Sequence, residues 1–124
     1  MAVERKRRAL ADCHSHMLSS IAEINQFVGD MNYEAFAADR RTSRAVERCL
    51  EIISEASRDV PPDVQEMHPE IPWRQVADSG NVFRHIYDRV SSRIVWQTVT
   101  DDLPKLQAVL LKIRDRATNE ENGK

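Results

Sequence analysis

Glycine and proline are scarce in this chain, with three and five residues among 124. Aromatic residues make up only 6% of the sequence, and no apolar run approaches the length of a membrane-spanning helix. The composition of 41% hydrophobic and 31% charged residues disfavours a disordered or an all-β chain. We therefore expect a helix-rich globule that forms a single domain over residues 1–124.

Charge of one sign is also lacking, because the formal net charge is only −2 at pH 7. Such a chain has no global field that attracts nucleic acid. Any RNA contact must come from local basic clusters, namely residues 5–8 or the arginines around residue 84, although residues 5–8 also fit a solvated helix start. No apolar run follows the first charges, so we expect no signal peptide and a cytoplasmic protein without membrane contact.

The metal-binding and phosphate-binding motifs of common enzymes are missing too. Cys13 and Cys49 fall on the apolar faces of two different predicted helices, which favours reduced core cysteines over a disulfide or a zinc site. A di-iron bundle needs Glu-x-x-His pairs, and no acidic residue stands three positions before a histidine. There is no Walker loop and no Gly-x-Gly-x-x-Gly motif. We expect no metal and no cofactor.

What the sequence does contain is helical periodicity. Apolar residues recur every three or four positions from about 4 to 28, and Gly29 supplies a stop. A second helix is predicted from a cap at Thr42 or Ser43 to about residue 60, where Pro61 and Pro62 end it. The residues between these helices, 30–39, form a connector with room for a short helical turn.

The C-terminal half continues the pattern. Residues 63–71 are predicted as a loop with an exposed His68, and a third helix opens at Pro72. The last helix is capped by Ser91 or Ser92, is kinked at Pro104 and precedes a polar tail from about residue 118. These four helices predict an all-α, up-and-down four-helix bundle. His14 and His16 lie about 200° apart around the first helix, and we interpret both as surface residues.

The third helix carries most of the residues that could do chemistry. At 100° per residue, one narrow stripe holds Arg74, Asp78, Asn81 and His85. A second stripe holds Trp73, Ala77, Gly80, Arg84 and Tyr87. The third side is apolar and must be covered, with Val82, Phe83 and Ile86. A helix between neighbours that still shows a polar seam suits a cleft. The flank of the second helix, including Arg44 and Glu55, lines this cleft or forms a solvated edge.

His85 beside arginine suits RNA cleavage without a metal. A neutral imidazole accepts a proton near pH 7, and a guanidinium stabilises charge that develops on phosphorus. Residue types alone are weak evidence for RNA cleavage, because a single histidine on a helix more often has a structural role.

Several blocks of sequence resemble a known protein family. Ile71-Pro72-Trp73, the run from Asn81 to Asp88, and the run from Ile94 to Val99 with Leu103 to Leu106 resemble the HepT-like toxins of the HEPN superfamily. The blocks from Arg44 to Arg48 and from Ile52 to Ala56 do so as well. The resemblance covers about residues 40–113. It implies a dimeric HEPN bundle that acts as a metal-independent ribonuclease toxin, with a minimal nucleotidyltransferase (MNT-type) as its antitoxin partner.

The family signature is an arginine, four to six residues, then a histidine, commonly followed by x-Tyr. The histidine matches His85, and Tyr87 matches the tyrosine that the partner adenylylates. In the common form the arginine directly precedes the asparagine that matches Asn81, but Gly80 occupies that place. Arg84 lies four residues later on the same helix face, so we expect its guanidinium to lean over the turn at Gly80. The resemblance thus implies His85, Arg84 and Asn81 as catalytic residues.

Two other functions are also compatible with the sequence. The missing arginine is compatible with a catalytically impaired HEPN dimer that binds nucleotide or RNA, or that only pairs with a nucleotidyltransferase. A plain helical interaction module, from a different functional class, is also compatible with the composition.

Overall fold

The computed structural model describes the backbone of residues 2–84 and 89–122, and the side chains of residues 5, 12–83 and 92–119. All of the secondary structure in these ranges is helical. In chain order the elements are α1 (Ala2–Val28), α2 (Tyr33–Ala38), α3 (Arg40–Ser57), α4 (Pro62–Met67), α5 (Trp73–Arg84), α6 (Arg89–Gln97), a π-helical segment (Thr98–Asp102) and α7 (Leu103–Asn122). The prediction of an all-helical bundle is confirmed.

The first long helix follows the predicted periodicity. Met17, Ile21 and Ile24 are completely or almost completely buried, at 0%, 1% and 0% exposure. The N–H of Gly29 donates to the Asn25 carbonyl, and Gly29 has a φ of 52°, the left-handed conformation that glycine adopts without strain. The local sequence therefore ends α1 where it was expected to end.

Two short helices occupy the segments between the long ones. The connector 30–39 contains α2, whose N-cap Asn32 accepts a hydrogen bond from the Ala35 N–H at 2.9 Å. The prediction of a loop over 63–71 is wrong in part, because α4 begins at Pro62. Proline has no N–H to lose in the first helical turn, so the residue that ends one helix can also begin another.

The start of α3 lies earlier than predicted. Asp39 is its N-cap, with one carboxylate oxygen accepting from the Thr42 N–H at 3.0 Å and the other from the Thr42 hydroxyl at 2.9 Å. These hydrogen bonds hold the pKa of the Asp39 carboxyl below its usual range. Thr42 therefore donates to the cap, and neither Thr42 nor Ser43 is the cap itself.

The last helix is continuous but changes its pitch. Helix α6 begins at Arg89 and therefore precedes the predicted cap at Ser91 or Ser92. The Leu103 N–H donates to the Thr98 carbonyl, a five-residue step that makes Thr98–Asp102 a π-helical segment directly before Pro104. Because proline cannot donate to the preceding turn, widening that turn accommodates it without ending the helix. Helix α7 continues to Asn122, inside the predicted polar tail.

The core is a single apolar cluster to which α1, α3, α5, the last helices and α2 all contribute. Helix α2 packs on α6 through aromatic rings, with the Phe36 and Trp96 centroids 5.2 Å apart. The guanidinium of Arg93 stacks over the Tyr33 ring at 3.8 Å, a cation–π contact at the same junction. None of the helices in the described part of the chain is both long and apolar enough to cross a membrane.

Both cysteines are buried thiols outside a disulfide, as predicted. Burial, with a smaller contribution from Asp59, raises the pKa of the Cys13 thiol to about 11. Burial also raises the pKa of Cys49 to about 11, and its Sγ donates to Glu23 Oε2 at 3.5 Å. Both thiols therefore stay protonated at neutral pH and are poor nucleophiles.

One histidine contradicts the surface interpretation. His16 is exposed as predicted, but His14 is only 8% exposed, and its Nδ1 has no hydrogen-bond partner among the described residues. Burial lowers the pKa of His14, and the positive charge of Arg114 on α7 lowers it further. The imidazole is therefore neutral in the folded chain near pH 7.

The buried imidazole makes stability depend on pH. Above histidine's ordinary pKa of 6.5 His14 is neutral in both states, whereas below it the unfolded chain takes up a proton that the folded chain resists. The free energy of unfolding should therefore fall as the pH falls from 7.5 to 5.5 in urea titrations. His14→Leu should flatten this fall, and His16→Gln should keep it. Equal slopes in both variants would contradict a buried neutral His14.

Glu47 acts in the opposite direction, because burial raises the pKa of its carboxyl above the usual 4.5. Its contribution to folding is largest at low pH and is lost as the pH rises through the raised pKa. This contribution is common to both histidine variants, so it cancels in their comparison.

Candidate active site on the fifth helix

Helix α5 is anchored at its start by contacts with the preceding loop. The indole Nε1 of Trp73 donates to the His68 carbonyl at 3.0 Å, and the Trp73 ring is buried. The Val76 N–H donates to the Pro72 carbonyl at 3.0 Å, which places the helix start within one residue of the predicted position. His68 was predicted to be exposed, but it is half-buried at this junction.

The middle of α5 is held against α3 by Ser54. Its hydroxyl donates to the Ala77 carbonyl at 2.8 Å and accepts from the Gly80 N–H at 2.9 Å. Ser54 and Gly80 are both buried, so these two bonds are formed inside the α3–α5 interface. Because hydrogen bonds in such an environment are costly to leave unmade, Ser54 fixes the position of α5 along α3.

The glycine at position 80 is explained by the same contact. A Cβ atom added to Gly80 would lie 2.8 Å from Ser54 Oγ and 3.2 Å from Ser54 Cβ. The Ser54 side chain thus occupies the space beside Gly80. The Arg84 side chain lies outside the described residues, so the expectation that its guanidinium leans over this turn stays a prediction. Gly80 was also considered as an RNA contact, but it is buried and does not face solvent.

Arg58, the residue that caps the end of α3, reaches the same carbonyl group. Its Nη2 donates to the Ala77 carbonyl oxygen at 3.1 Å. Ser54 and Arg58 therefore hold one turn of α5 from two successive turns of α3. Neither residue was singled out from the sequence, because Ser54 lies 23 positions and Arg58 lies 19 positions before Ala77.

The predicted polar stripe is present as far as the structure describes it. Arg74, Asp78 and Asn81 are all exposed on the same side of α5. The side chain of Arg84 and the whole of His85 and Tyr87 lie outside the described residues. The structure therefore describes the exposed side of α5 as far as Asn81, and the places of the Arg84 side chain, His85 and Tyr87 relative to this side stay predictions.

The predicted apolar side of α5 divides into two parts. Phe83 is buried in the core, whereas Val82 is 53% exposed. Ile86, the third member of that side, is outside the described residues. The expectation that this whole side is covered is wrong for Val82 within one chain.

The flank of α3 carries pairs of opposite charge. Arg44 Nη1 lies 3.7 Å from Glu47 Oε1, and Arg48 Nη1 lies 3.3 Å from Glu51 Oε2. Glu47 is buried and does not form the solvated edge that we considered, whereas Glu55 is exposed. The arginines of these two pairs therefore have a neighbouring carboxylate that offsets their charge.

A cavity of about 400 Å³ lies on the other side of α5, between α3 and the C-terminal helices. Phe83, Leu50 and Leu106 are among the apolar residues that line it, and Gln75 and Lys105 are among the polar ones. Because the helix turns by 100° per residue, the side of α5 that lines this cavity is separate from the side that carries the polar stripe. In residues 5–119, as far as their side chains are described, no group of three or more His, Cys, Asp or Glu side chains could hold a metal ion.

Comparisons with known proteins agree with the resemblance drawn from the sequence. A family model described as "Ribonuclease HepT-like" matches residues 17–113. The chain is 41% identical over 105 residues to the "Probable ribonuclease HepT" of Thermococcus cleftensis, an alignment that covers 82% of this chain and 96% of the relative.

Two further relatives are named "Putative RNase". The chain is 35% identical to one from Methanocaldococcus jannaschii, over 78% of this chain and 84% of the relative. It is 32% identical to one from Caldanaerobacter subterraneus subsp. tengcongensis, over 79% of this chain and 88% of the relative. No solved structure matches the chain. The matched span and these identities show that this chain belongs to the HepT-like family of HEPN-type ribonucleases.

Proposed function

We propose that this chain is a metal-independent RNA endonuclease and the toxin of a HEPN/MNT toxin–antitoxin system. The single HEPN domain would span residues 1–124 and act in the cytoplasm. His85, Arg84 and Asn81 are its catalytic residues, and Arg74, Asp78, Arg44 and Glu55 are candidates for contacts along the RNA.

The exposed polar stripe on α5 carries this proposal. Arg74, Asp78 and Asn81 are exposed at spacings of four and three residues, and His85 follows Asn81 by another four. The neighbouring side of the helix, at Ala77 and Gly80, is held by Ser54 on α3. A rigidly held helix that shows one polar stripe suits a site in which a flexible RNA strand is positioned.

The proposed chemistry needs no group beyond the protein and RNA. His85 accepts the proton of a ribose 2′-hydroxyl, whose oxygen attacks the adjacent phosphorus. Arg84 stabilises the negative charge of the pentacovalent phosphorus, and Asn81 donates to a phosphate oxygen or holds the histidine. The bond from phosphorus to the 5′-oxygen breaks, and that oxygen takes a proton from solvent. The products are a 2′,3′-cyclic phosphate and a 5′-hydroxyl.

The test is RNA cleavage by the purified full-length protein in excess EDTA. We expect fragments with a 5′-hydroxyl end, and we expect cleavage to proceed at the same rate without the chelator because no metal takes part. Loss of cleavage in EDTA that magnesium restores would contradict the metal-independent mechanism.

The impaired HEPN dimer is the second candidate, and Gly80 favours it. The family's usual arginine is missing at this position, and the contact with Ser54 leaves no room for one. Retention of RNA or nucleotide without any cleavage would support this alternative over the ribonuclease.

We also propose that the protein acts as a homodimer with α5 near the two-fold axis. Val82 on α5 and Ile94 on α6 are 53% and 46% exposed, so both offer apolar area to a second copy. Two symmetric copies would bring two His85 residues to one cleft. Light scattering that gives the 14.3 kDa mass of one chain at micromolar concentration would contradict the dimer.

The partner is proposed to silence the toxin at Tyr87. An MNT-type nucleotidyltransferase would transfer AMP from ATP to the phenol oxygen and release pyrophosphate. Tyr87 lies two residues after His85, so an added phosphodiester would bring negative charge and bulk to the cleavage site.

Mass spectrometry should detect AMP on the peptide that contains Tyr87 after incubation with the partner, ATP and magnesium. Tyr87→Phe should stay toxic when the partner is co-expressed, whereas Tyr33→Phe serves as the control that is silenced like the wild type. Full silencing of Tyr87→Phe together with an unmodified peptide would show that the antitoxin acts by binding alone.

A further inference from the structure

The Ala77 carbonyl oxygen places the Arg58 guanidinium next to the polar stripe. Arg58 Nη2 lies 3.1 Å from this oxygen. In an α-helix a carbonyl points toward the C-terminus and faces the N–H four residues later, which for Ala77 is the N–H of Asn81. The guanidinium of Arg58 therefore lies at the turn between Ala77 and Asn81, beside an exposed residue of the proposed site.

Within the described part of the chain, no neighbouring carboxylate offsets the charge of Arg58. Arg58 is exposed, and no carboxylate oxygen among the described residues lies within 4 Å of its guanidinium. Arg48 on the same helix differs, because Glu51 lies 3.3 Å from its Nη1. A guanidinium has five N–H donors, and the bond to Ala77 uses one of them. The remaining donors form a fork that matches a phosphate group.

We propose that Arg58 binds the RNA phosphate next to Asn81, supplying from α3 the guanidinium that position 80 does not provide. A helical side chain leans over the turn N-terminal to its own Cα, so a long side chain at position 80 would extend toward Ala77. Arg58 reaches the same turn. Gly80 is then part of the arrangement, because its missing side chain allows α3 to approach closely enough for this contact. The inference rests on the proposed function, because it assumes that the polar stripe binds RNA.

The test uses three variants of the full-length protein. Arg58→Gln removes the charge, and Arg58→Lys keeps a charge without the planar fork. Arg48→Gln is the matched control, because Arg48, within α3, is also an exposed arginine but has its charge offset by Glu51. Folding should be preserved in all three, because the Ala77 carbonyl still accepts from Ser54 Oγ when Arg58 is replaced. Thermal melting by circular dichroism checks this.

Two measurements are made on each variant. The first is kcat/KM for cleavage of an RNA oligonucleotide in EDTA. The second is the salt dependence of binding to the same oligonucleotide with 2′-O-methyl groups, which block the attacking hydroxyl and prevent cleavage. Arg58→Gln should lower kcat/KM by about tenfold or more and should reduce the slope of log K against log salt by about 0.7, the value for one lost phosphate contact with a single strand. Arg58→Lys should recover the slope but not the full rate, because lysine lacks the bidentate fork.

The outcomes separate this inference from the proposed function. If the wild type cleaves RNA and Arg58→Gln behaves like Arg48→Gln in both measurements, the role of Arg58 is overturned while the ribonuclease stands. If the wild type only binds RNA and Arg58→Gln alone reduces the salt slope, the phosphate site stands without the cleavage activity. If the wild type neither cleaves nor binds RNA, both proposals fail.

Discussion

His85→Ala is expected to lower the rate of RNA cleavage by a factor of about 10² to 10⁴, the usual contribution of a general base. The fold should be retained, since the residues that anchor α5 on α3, such as Ser54 and Gly80, are unchanged. Expression of the variant in cells should no longer arrest growth. Single-turnover cleavage of an RNA oligonucleotide in EDTA measures the loss directly.

The matched control is His16→Ala, because His16 is an exposed histidine on α1 and has no proposed role in catalysis. It should cleave RNA like the wild type. Normal cleavage by His85→Ala would remove His85 from the mechanism. A shared loss in both variants would indicate that the assay reports folding and not chemistry.

Gly80→Arg is expected to destabilise the fold strongly, by roughly 3 kcal/mol or more, because a side chain at this position collides with Ser54. Inserting extra atoms into a packed interface costs about 1–3 kcal/mol and occasionally more. Displacing Ser54 also leaves its buried hydrogen-bond partners on α5 unsatisfied, which costs about 1–3 kcal/mol more, whereas the higher helix propensity of arginine returns only about 1 kcal/mol. The resemblance to the family, which commonly has arginine at this position, predicts by itself that this change is tolerated or raises activity. The structure reverses that expectation, and thermal melting should show the variant melting about 10 °C lower or more.

Gln75→Arg is the control, because Gln75 is an exposed residue of the same helix and should accept arginine with little loss of stability. Gly80→Ala should have an intermediate effect. Combining it with Ser54→Gly, which removes both of the colliding atoms, should cost less than the sum of the two single changes. If Gly80→Arg melts like Gln75→Arg, the space at position 80 is open and the contact with Ser54 does not limit it.

Local chemistry made much of the fold predictable. The three-to-four-residue apolar spacing places α1 and α3, and Gly29 ends α1 because a positive φ favours glycine. The predicted ends of helices were wrong where several local signals compete. Asp39, Thr42 and Ser43 are all residues that cap helices, and spacing alone does not choose between them. Helix α3 ends at Ser57, before the predicted end near residue 60, and the prolines that were predicted only as a stop also begin α4.

The effect of Pro104 shows a different limit of local reasoning. The unbroken apolar phase across this proline predicted one long helix, which the structure confirms. The predicted kink takes the form of a π-helical segment over Thr98–Asp102. Either response relieves the missing hydrogen bond, and packing of the flanking helices decides which one occurs.

The sequence by itself determined the all-helical bundle, the family and the polar stripe of α5, because each depends on residue spacing within one segment. Only the tertiary structure decided that His14 is buried, since its exposure depends on the packing of distant helices around α1. The same holds for the contacts of Ser54 and Arg58 with α5, which join residues about twenty positions apart. A helix face can be read from periodicity, but which atoms of a second helix meet it depends on how closely the two backbones pack, and here Gly80 sets that distance.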